Sequence, residues 1–419
     1  MKIALVSQPF DTVLPPSQNS VGLAMYEIGK RLAKTDDVVL YGGTYERESS
    51  VVHVDGMEVR LLPRRWEQRT KRVTRWIPEP KGRKRPQFSW DRTYLAYAVR
   101  IGLDLRRDGV DVVHINNFSQ FAPTIRRLAG NPKIVLNMHC EWLNHLDPAV
   151  VGPRLRSVDC IMGCSDYIVD KACEAFPDFS GARTTAYPGI DTKDLRAIGE
   201  TRPERPARRL LYVGRVTPEK GAHVLVEAMP AIEQHFPDVT LDIVGGFSQM
   251  TRRYLVDLSD DPLVSGLARF YDDEARDAYA GKLQARIDEL GLADIVTLCG
   301  GLPYPDTVAR FAEADILVHP ALSEPFGRCI IEAMGSGIPA VATRIGGMQE
   351  SIEHEKTGLL VAPDDPSEVA EAVMRIMRDD ELRETLVRNG KQAVTERFEW
   401  DVIARVTREC YERLCASGK

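Results

Sequence analysis

Two trains of short Val-, Ile- and Leu-rich runs, parted by a charged, proline-containing stretch, restrict this chain more than any other feature. The first train is KIALVSQ (2–8), VVLYGG (38–43), VDVVHINN (110–117), KIVLNMH (133–139) and VDCIMGCS (158–165). The second is LLYVGR (210–215), VTLDIVGG (239–246), IVTLCGG (295–301), ADILVHPA (314–321), PAVATRIGG (339–347) and GLLVAP (358–363). Each run is apolar on successive residues, the pattern of a strand covered on both faces, and amphipathic helical stretches lie between the runs. A parallel sheet flanked by helices is expected from each train. The segment TKDLRAIGETRPERPARR (192–209) reads as the linker. A chain of 419 residues is also too long for one core. The expectation is an α/β protein of two Rossmann-like doubly wound domains, residues 1–195 and 205–396, with an inter-domain cleft that receives the carboxyl ends of the strands.

Residues 247–282 break the rhythm with Asp260, Asp261, Asp272, Asp273 and Glu274 beside Phe270 and Tyr271. They read as an inserted helical excursion that could shape an acceptor site, with a solvated surface elaboration the favoured reading.

No stretch approaches the roughly 20 apolar residues that span a bilayer. The opening MKIALVSQPF has no long apolar core and no small-residue cleavage site, so a cytoplasmic location is expected. The eight cysteines form no C-x-x-C pair and sit mostly in apolar runs; reduced, packed thiols are expected. The net charge of −6 conceals a basic segment, Arg64 to Arg85, with ten Lys/Arg against two Glu and with Trp66 and Trp76 interleaved. One reading is contact with an anionic partner, such as acidic lipid at the inner membrane face or a phosphorylated acceptor. The other is a solvated loop, for which Pro78, Pro80 and Pro86 speak. Nucleic acid is not an expected partner.

The strongest chemical signal is HPALSEPFGRCIIEAMGSGIPAVATRIGG, starting at His319. Phe326-Gly327-Arg328 opens a helix after a buried strand, and a helix start offers unpaired N–H groups and partial positive charge. Gly327 would let a ligand approach the backbone. Glu332, inside that helix among apolar neighbours, needs a donor such as a ribose hydroxyl to be tolerable when buried; a dipole partner or a surface Glu is the alternative. The second signal, YVGRVTPEKGAHVLVEAM (212–229), is a strand, a turn and a helix with Arg215 and Lys220 flanking the turn. Two cations there suit a diphosphate, or else Lys220 simply pairs with Glu219.

Taken together, GRVTPEKG, the following DIVGG, the ADILVHPALSEPFGRCIIEAMGSGIPAV block with its E-x7-E spacing and the IGGMQESI…GLLVAPDD tail resemble family 4 of the retaining glycosyltransferases (glycosyl transferases group 1), which have the GT-B fold. The resemblance is close over the C-terminal half and looser before it. It implies a nucleotide-sugar donor, UDP- or GDP-linked, and transfer with retention of anomeric configuration. Arg215 and Lys220 then match the pair that neutralises the donor diphosphate, Glu332 the carboxylate on the ribose, and Glu324 the one at the donor sugar. Backbone groups of Phe326, Gly327 and Arg328 match those holding the sugar and distal phosphate. The turn carrying Gly301 and Leu302 matches the loop that reads the base. His139 matches a family histidine near the reacting sugar, although a strand-end histidine by itself is more often structural. The acceptor-side loop matches only partly: Asn19-Ser20-Val21-Gly22 leaves Gly22 without the usual partner glycine. In relatives a C-terminal helix, here about 397–419, packs back on the first domain; a plain amphipathic helix would have the same sequence.

The chain has no D-x-D triplet and no metal-ligand spacing, so metal-independent chemistry without a cofactor is expected. The first βα turn, SQPFDTVLPPSQNS, lacks the G-x-G-x-x-G of a nicotinamide dehydrogenase. An epimerase or a phosphorylase on the same frame, or a non-catalytic binder of sugar nucleotides, are the competing readings.

Overall fold

The computed structural model describes residues 1–16, 18–65, 67, 82–193, 195, 205–248, 250–272, 275 and 277–416. Two compact units result: Met1–Gly189 with Trp400–Lys419, and Ile190–Glu399. Both are mixed α/β, each built on a parallel, Rossmann-like sheet. Most of the linker segment 192–209, namely 194 and 196–204, lies outside the described residues.

The first sheet contains β1 (Lys2–Val6), β2 (Asp37–Thr44), β3 (Ser50–Val54), β4 (Met57–Pro63), β5 (Val112–Asn116), β6 (Lys133–Met138), β7 (Cys160–Gly163) and β8 (Ala182–Thr185), in the order β3-β4-β2-β1-β5-β6-β7-β8. All neighbours are parallel except β3 with β4. The apolar runs form the central strands, and Ile3, Leu5, Val112 and Val135 are wholly buried. The β3–β4 hairpin was not among the expected strands. It turns at Asp55 and Gly56, both with positive φ, as an Asp-Gly hairpin does. Its outer strand leaves Val51 and Val52 exposed, so no continuous apolar run marks it. β8, ARTT, is also polar and at an edge.

The C-terminal helix Trp400–Ala416 belongs to this first unit. Its Ile403, Cys410, Tyr411 and Leu414 join Ile3, Leu5 and Met25 in one core. Tyr411 Oη lies 2.6 Å from His114 Nδ1 within β5, and Arg408 Nε donates to Asp36 over 2.8 Å. Gly189 brings the chain against Trp400, where a Cβ would stand 2.4 Å from the indole.

The second sheet runs β11-β10-β9-β12-β13-β14, from β9 (Arg209–Val213), β10 (Thr240–Val244), β11 (Val296–Gly300), β12 (Ile316–His319), β13 (Ala340–Thr343) and β14 (Leu359–Val361). Every pair is parallel. Counted from β9 this is the 3-2-1-4-5-6 order, in which the order of strand addition reverses between the first and fourth strands and opens a crevice at their carboxyl ends. That switch point lies between β9 and β12; in the first unit it lies between β1 and β5.

The 247–282 excursion departs from the solvated surface elaboration expected of it. Val256, Leu258, Leu267 and Tyr279 are buried, and Phe270 packs 4.6 Å from the His223 ring and 5.3 Å from Tyr279. Its described acidic residues Asp260, Asp261 and Asp272 are exposed; the apolar ones above, spaced irregularly through short turns, serve the core. Residues 249, 273, 274 and 276 are outside the described set.

Candidate active site

At the switch point of the second sheet, β9 and β12 each end in a loop that carries charge. After β9 the turn 214–221 is braced by Tyr212, whose buried hydroxyl donates to the carbonyls of Arg215 (3.0 Å) and Lys220 (3.2 Å). Gly221 (φ +71°) passes so close to β12 that a Cβ would sit 1.9 Å from the Pro320 carbonyl oxygen. The Glu219 carbonyl accepts from the amides of Leu322 (2.8 Å) and Ser323 (3.2 Å). The two loops are thus tied together through main chain.

Side chains complete that tie. Lys220 Nζ donates to Glu324 Oε2 at 2.8 Å and to the Ser323 carbonyl at 3.3 Å. The same Oε2 faces His319 Nε2 at 3.1 Å. A carboxylate only accepts, so that nitrogen carries a proton. The other ring nitrogen of His319, Nδ1, is buried without a partner. Burial alone would raise the Glu324 carboxyl, but the Lys220 charge and the His319 hydrogen bond outweigh it and hold the group well below the usual carboxylate range. Lys220 therefore pairs with Glu324, not with Glu219. Glu219 is 3% exposed and takes Arg215 instead, with Nη2 donating to Oε1 at 3.1 Å. The Arg215 guanidinium stays 46% exposed, available to an anion.

Glu332 is the fifth residue of the helix Arg328–Gly335 and 3% exposed, which removes the surface reading. Arg328 Nη2 lies 3.3 Å from Oε1, yet Oε1 has no hydrogen-bond donor. Burial raises this carboxyl, opposed by Arg328 and by the Tyr304 hydroxyl. A buried acceptor left open is what a ligand hydroxyl can fill. Gly327, with φ +85°, turns the chain into the helix, while the Phe326 ring is buried against Phe398 at 5.6 Å. Only the backbone of this pair can meet a ligand. Gly301 is exposed and Leu302 half-buried in the loop after β11. Arg328 lies 5.8 Å above the Tyr304 ring in the next helix.

In the first unit, His139 follows β6 and is half-buried. Its Nε2 stands 2.8 Å from Asn116 Oδ1, and its amide donates to Asn117 Oδ1 at 2.8 Å. Burial pushes the imidazole down to about 4, so it is neutral at physiological pH. Asn19 caps the helix Ser20–Leu32 by accepting from the Gly22 amide, and its Nδ2 donates to Asp11 at 2.7 Å. Ser20 is the exposed first helical residue. Gly22 has a packing reason of its own: a Cβ there would lie 2.1 Å from the Thr12 carbonyl oxygen. Of the basic segment, residues 66 and 68–81 lie outside the described set. Arg85 pairs with Asp147 at 2.7 Å. Among the described residues no helix is long and apolar enough to cross a membrane.

The sequence signals passed over His319, Glu219 and Tyr212 as site residues, and over the polar cluster of Asp11, Asn116 and Asn117. A usable signal existed in Asn116-Asn117, two amides closing a strand otherwise made for burial.

The family model described as Glycosyl transferases group 1 matches residues 198–393, and that described as Glycosyltransferase Family 4 matches residues 25–194. A glycogen synthase of Mycobacterium tuberculosis (strain ATCC 25618 / H37Rv) is 27% identical over 331 residues, 75% of this chain and 72% of the relative. Sucrose-phosphate synthase from Thermosynechococcus elongatus has the same fold with a TM-score of 0.70 and 22% identity, covering 100% of both chains. Anabaena Alr3699/HepE, solved with UDP and glucose, gives a TM-score of 0.65 at 19% identity over 98% of this chain and 99% of that one. Two Rossmann-like sheets, charged loops at the switch point of the second and family matches over both halves have one meaning: the chain belongs to the group 1, family 4 glycosyltransferases, which have the GT-B fold.

Proposed function

We propose that this glycosyltransferase moves a hexosyl group from a UDP- or GDP-sugar to an acceptor bound by the first unit, with retention of configuration and without a metal ion or other cofactor. The observation that carries the reading is the cluster Lys220–Glu324–His319 with Arg215 beside it, at the switch point of the second sheet. Arg215 and Lys220 supply fixed positive charge for a departing diphosphate, in the place where charge grows as the glycosidic bond breaks. Glu324, held ionised, can orient sugar hydroxyls and stabilise positive character at the anomeric carbon. The open oxygen of Glu332 suits a ribose hydroxyl. The backbone at 326–328 takes the sugar and distal phosphate, and the loop of Gly301 and Leu302 the base. HepE, of the same fold, is solved with UDP and glucose, which favours a uridine donor among those considered. No carboxylate is assigned as a covalent nucleophile; the leaving phosphate takes the acceptor proton on the face from which it departs. The charge of the basic segment 64–85 supports an anionic or lipid-linked acceptor and contact at the inner membrane face, with a solvated loop the competing reading of the same residues.

Thermal-shift screening against UDP-, GDP-, ADP- and dTDP-sugars tests the donor, and stabilisation by none of them removes the reading. Proton NMR of the product anomeric centre tests retention. Activity abolished by excess chelator would end the metal-free mechanism.

A further inference from the structure

At the switch point of the first sheet, a chain of polar side chains runs inward from His139 and ends on one buried carboxylate. The His139 amide donates to Asn117 Oδ1 (2.8 Å), Asn117 Nδ2 to Gln8 Oε1 (3.1 Å), and Gln8 Nε2 to Asp11 Oδ1 (3.0 Å). Asp11 is fully buried. It also accepts from Ser7 Oγ (2.6 Å), the Gln8 amide (2.8 Å) and Asn19 Nδ2 (2.7 Å).

The direction of every bond in the chain is forced from both ends. A backbone N–H can only donate, so the His139 amide turns the Asn117 oxygen toward itself and its NH2 toward Gln8. A carboxylate can only accept, so Asp11 turns the Gln8 NH2 inward and its oxygen toward Asn117. The two constraints agree, and three donors in series point at Asp11, an arrangement in which each bond polarises the next. Asn19 is oriented independently, because its oxygen is occupied by the Gly22 amide at the helix start. Asn117 itself holds φ +58°, a left-handed conformation that asparagine tolerates better than most residues and that tends to persist where the surroundings over-determine it.

The imidazole is oriented by a second amide. Asn116 Nδ2 donates to the Val6 carbonyl at 3.1 Å, so its Oδ1 faces His139 Nε2 at 2.8 Å. Oxygen and an unprotonated nitrogen would repel at that distance; Nε2 must carry the proton. Asn137 Nδ2, 3.1 Å from the same nitrogen, is left to the weaker contact with Asn116 Oδ1 at 3.4 Å. The lone pair of the neutral ring is then on Nδ1.

We propose that Asp11 is a positioning residue that sets, through Gln8 and Asn117, the backbone of His139, while Asn116 sets its tautomer, so that His139 presents Nδ1 as an acceptor for a substrate hydroxyl. The substrate half of this statement rests on the transfer reaction proposed above; the tautomer half does not. Asp11 touches no substrate and acts only through the amides.

Long-range 1H–15N correlation on protein with 15N-labelled histidine, at pH 7 and without ligand, reads the tautomer directly. His139→Gln assigns the signal by removing it. The expected result is a protonated Nε2 and an unprotonated Nδ1. A proton on Nδ1 overturns the proposal. Asp11→Asn keeps the shape of the side chain but puts an NH2 either against the Gln8 amide or against the NH2 groups of Gln8 and Asn19. It should leave the proton on Nε2, which Asn116 holds, shift the 15N–1H signal of the His139 backbone amide that Asn117 accepts from, and lower kcat for release of sugar from UDP-glucose about tenfold or more, with the affinity for UDP within twofold of wild type. An unchanged His139 amide signal with unchanged kcat overturns the positioning role. Should Asp11→Asn not fold, Gln8→Met breaks the same chain at its middle and is read in the same way. A wild-type protein that neither binds nor turns over any nucleotide sugar overturns the substrate half together with the reading it rests on, and leaves the tautomer result to stand alone.

Discussion

Lys220 Nζ and Glu324 Oε2 are 2.8 Å apart, with the two side chains 13% and 14% exposed. The cation proposed to meet a diphosphate is therefore already partnered, by the carboxylate proposed to meet the sugar. His319 secures the same oxygen from the other side, so the anion is held by two donors before any ligand arrives. That order suits electrostatic catalysis, in which the groups are fixed in advance and do not reorganise during the reaction.

Glu324→Gln removes the charge and leaves the Lys220 cation only neutral acceptors, an amide oxygen and the Ser323 carbonyl. A loss of about 3 kcal/mol of stability is expected at pH 7, the usual cost of breaking a buried pair from one side. Because the folded carboxyl is held below its ordinary value of 4.5, its contribution is complete above that pH and is lost as the pH falls through the folded value. Urea melts should show a constant gap between wild type and variant from pH 7 to pH 5 and a shrinking one in more acidic buffer. Turnover should suffer more than nucleotide affinity; the reverse would exchange the roles of Glu324 and Glu332.

Lys220→Ala and Arg215→Ala should each lower kcat/KM by about 2–4 kcal/mol of transition-state stabilisation. They should differ in stability. Removing Arg215 strands the buried Glu219, whose Oε2 already lacks a donor, so its melting temperature should drop, and Glu219→Gln in the Arg215→Ala background should restore part of it. Near-wild-type kinetics for both single variants would discredit the diphosphate assignment.

Glu332→Gln is expected to stabilise the ligand-free protein at neutral pH by about 1 kcal/mol, since an amide avoids the cost of an ionised group short of a donor. Burial raises the carboxyl in the folded state. Its favourable share is present below the ordinary value of 4.5 and disappears as the pH rises through the folded value. The stability gap should accordingly be widest at pH 7 and close toward pH 4. Nucleotide affinity, measured by calorimetry, should fall about tenfold through loss of a charge-assisted bond. A destabilised variant with full affinity would refute the ribose role.

Gly221→Ala forces a Cβ to within 1.9 Å of the Pro320 carbonyl oxygen at a φ of +71°. Backbone must shift on one side or the other, at a cost of about 2 kcal/mol or more. The variant should melt earlier and lose activity out of proportion, because the same shift displaces Lys220 from Glu324. Gly246→Ala, with nothing within 4 Å of its added Cβ, is the control and should behave as wild type.

The central strands of both sheets were readable because burial on both faces writes a continuous apolar run, as in KIALV and ILVH, which no partner is needed to interpret. β3 and β8 were not, since an edge strand meets solvent and its sequence, SVVHV or ARTT, is compatible with loop. The donor-side residues Arg215, Lys220, Glu324 and Glu332 were legible as types and spacings around two helix starts. Their pairing was not: Glu219 is adjacent to Lys220 in sequence, yet the turn carries the lysine across to Glu324 and leaves Glu219 to Arg215.

Local sequence, through the period of its apolar residues and the chemistry of two strand-to-helix turns, determined the α/β class and the group of residues able to meet a diphosphate sugar. Tertiary structure alone decided which charges meet, that His319 holds Glu324, and that Asp11 lies at the end of a hydrogen-bond chain begun at His139. The physical reason is that periodicity depends on neighbours a few residues apart, whereas the partner of a buried charge is whatever the sheet order brings beside it, here from more than a hundred residues away.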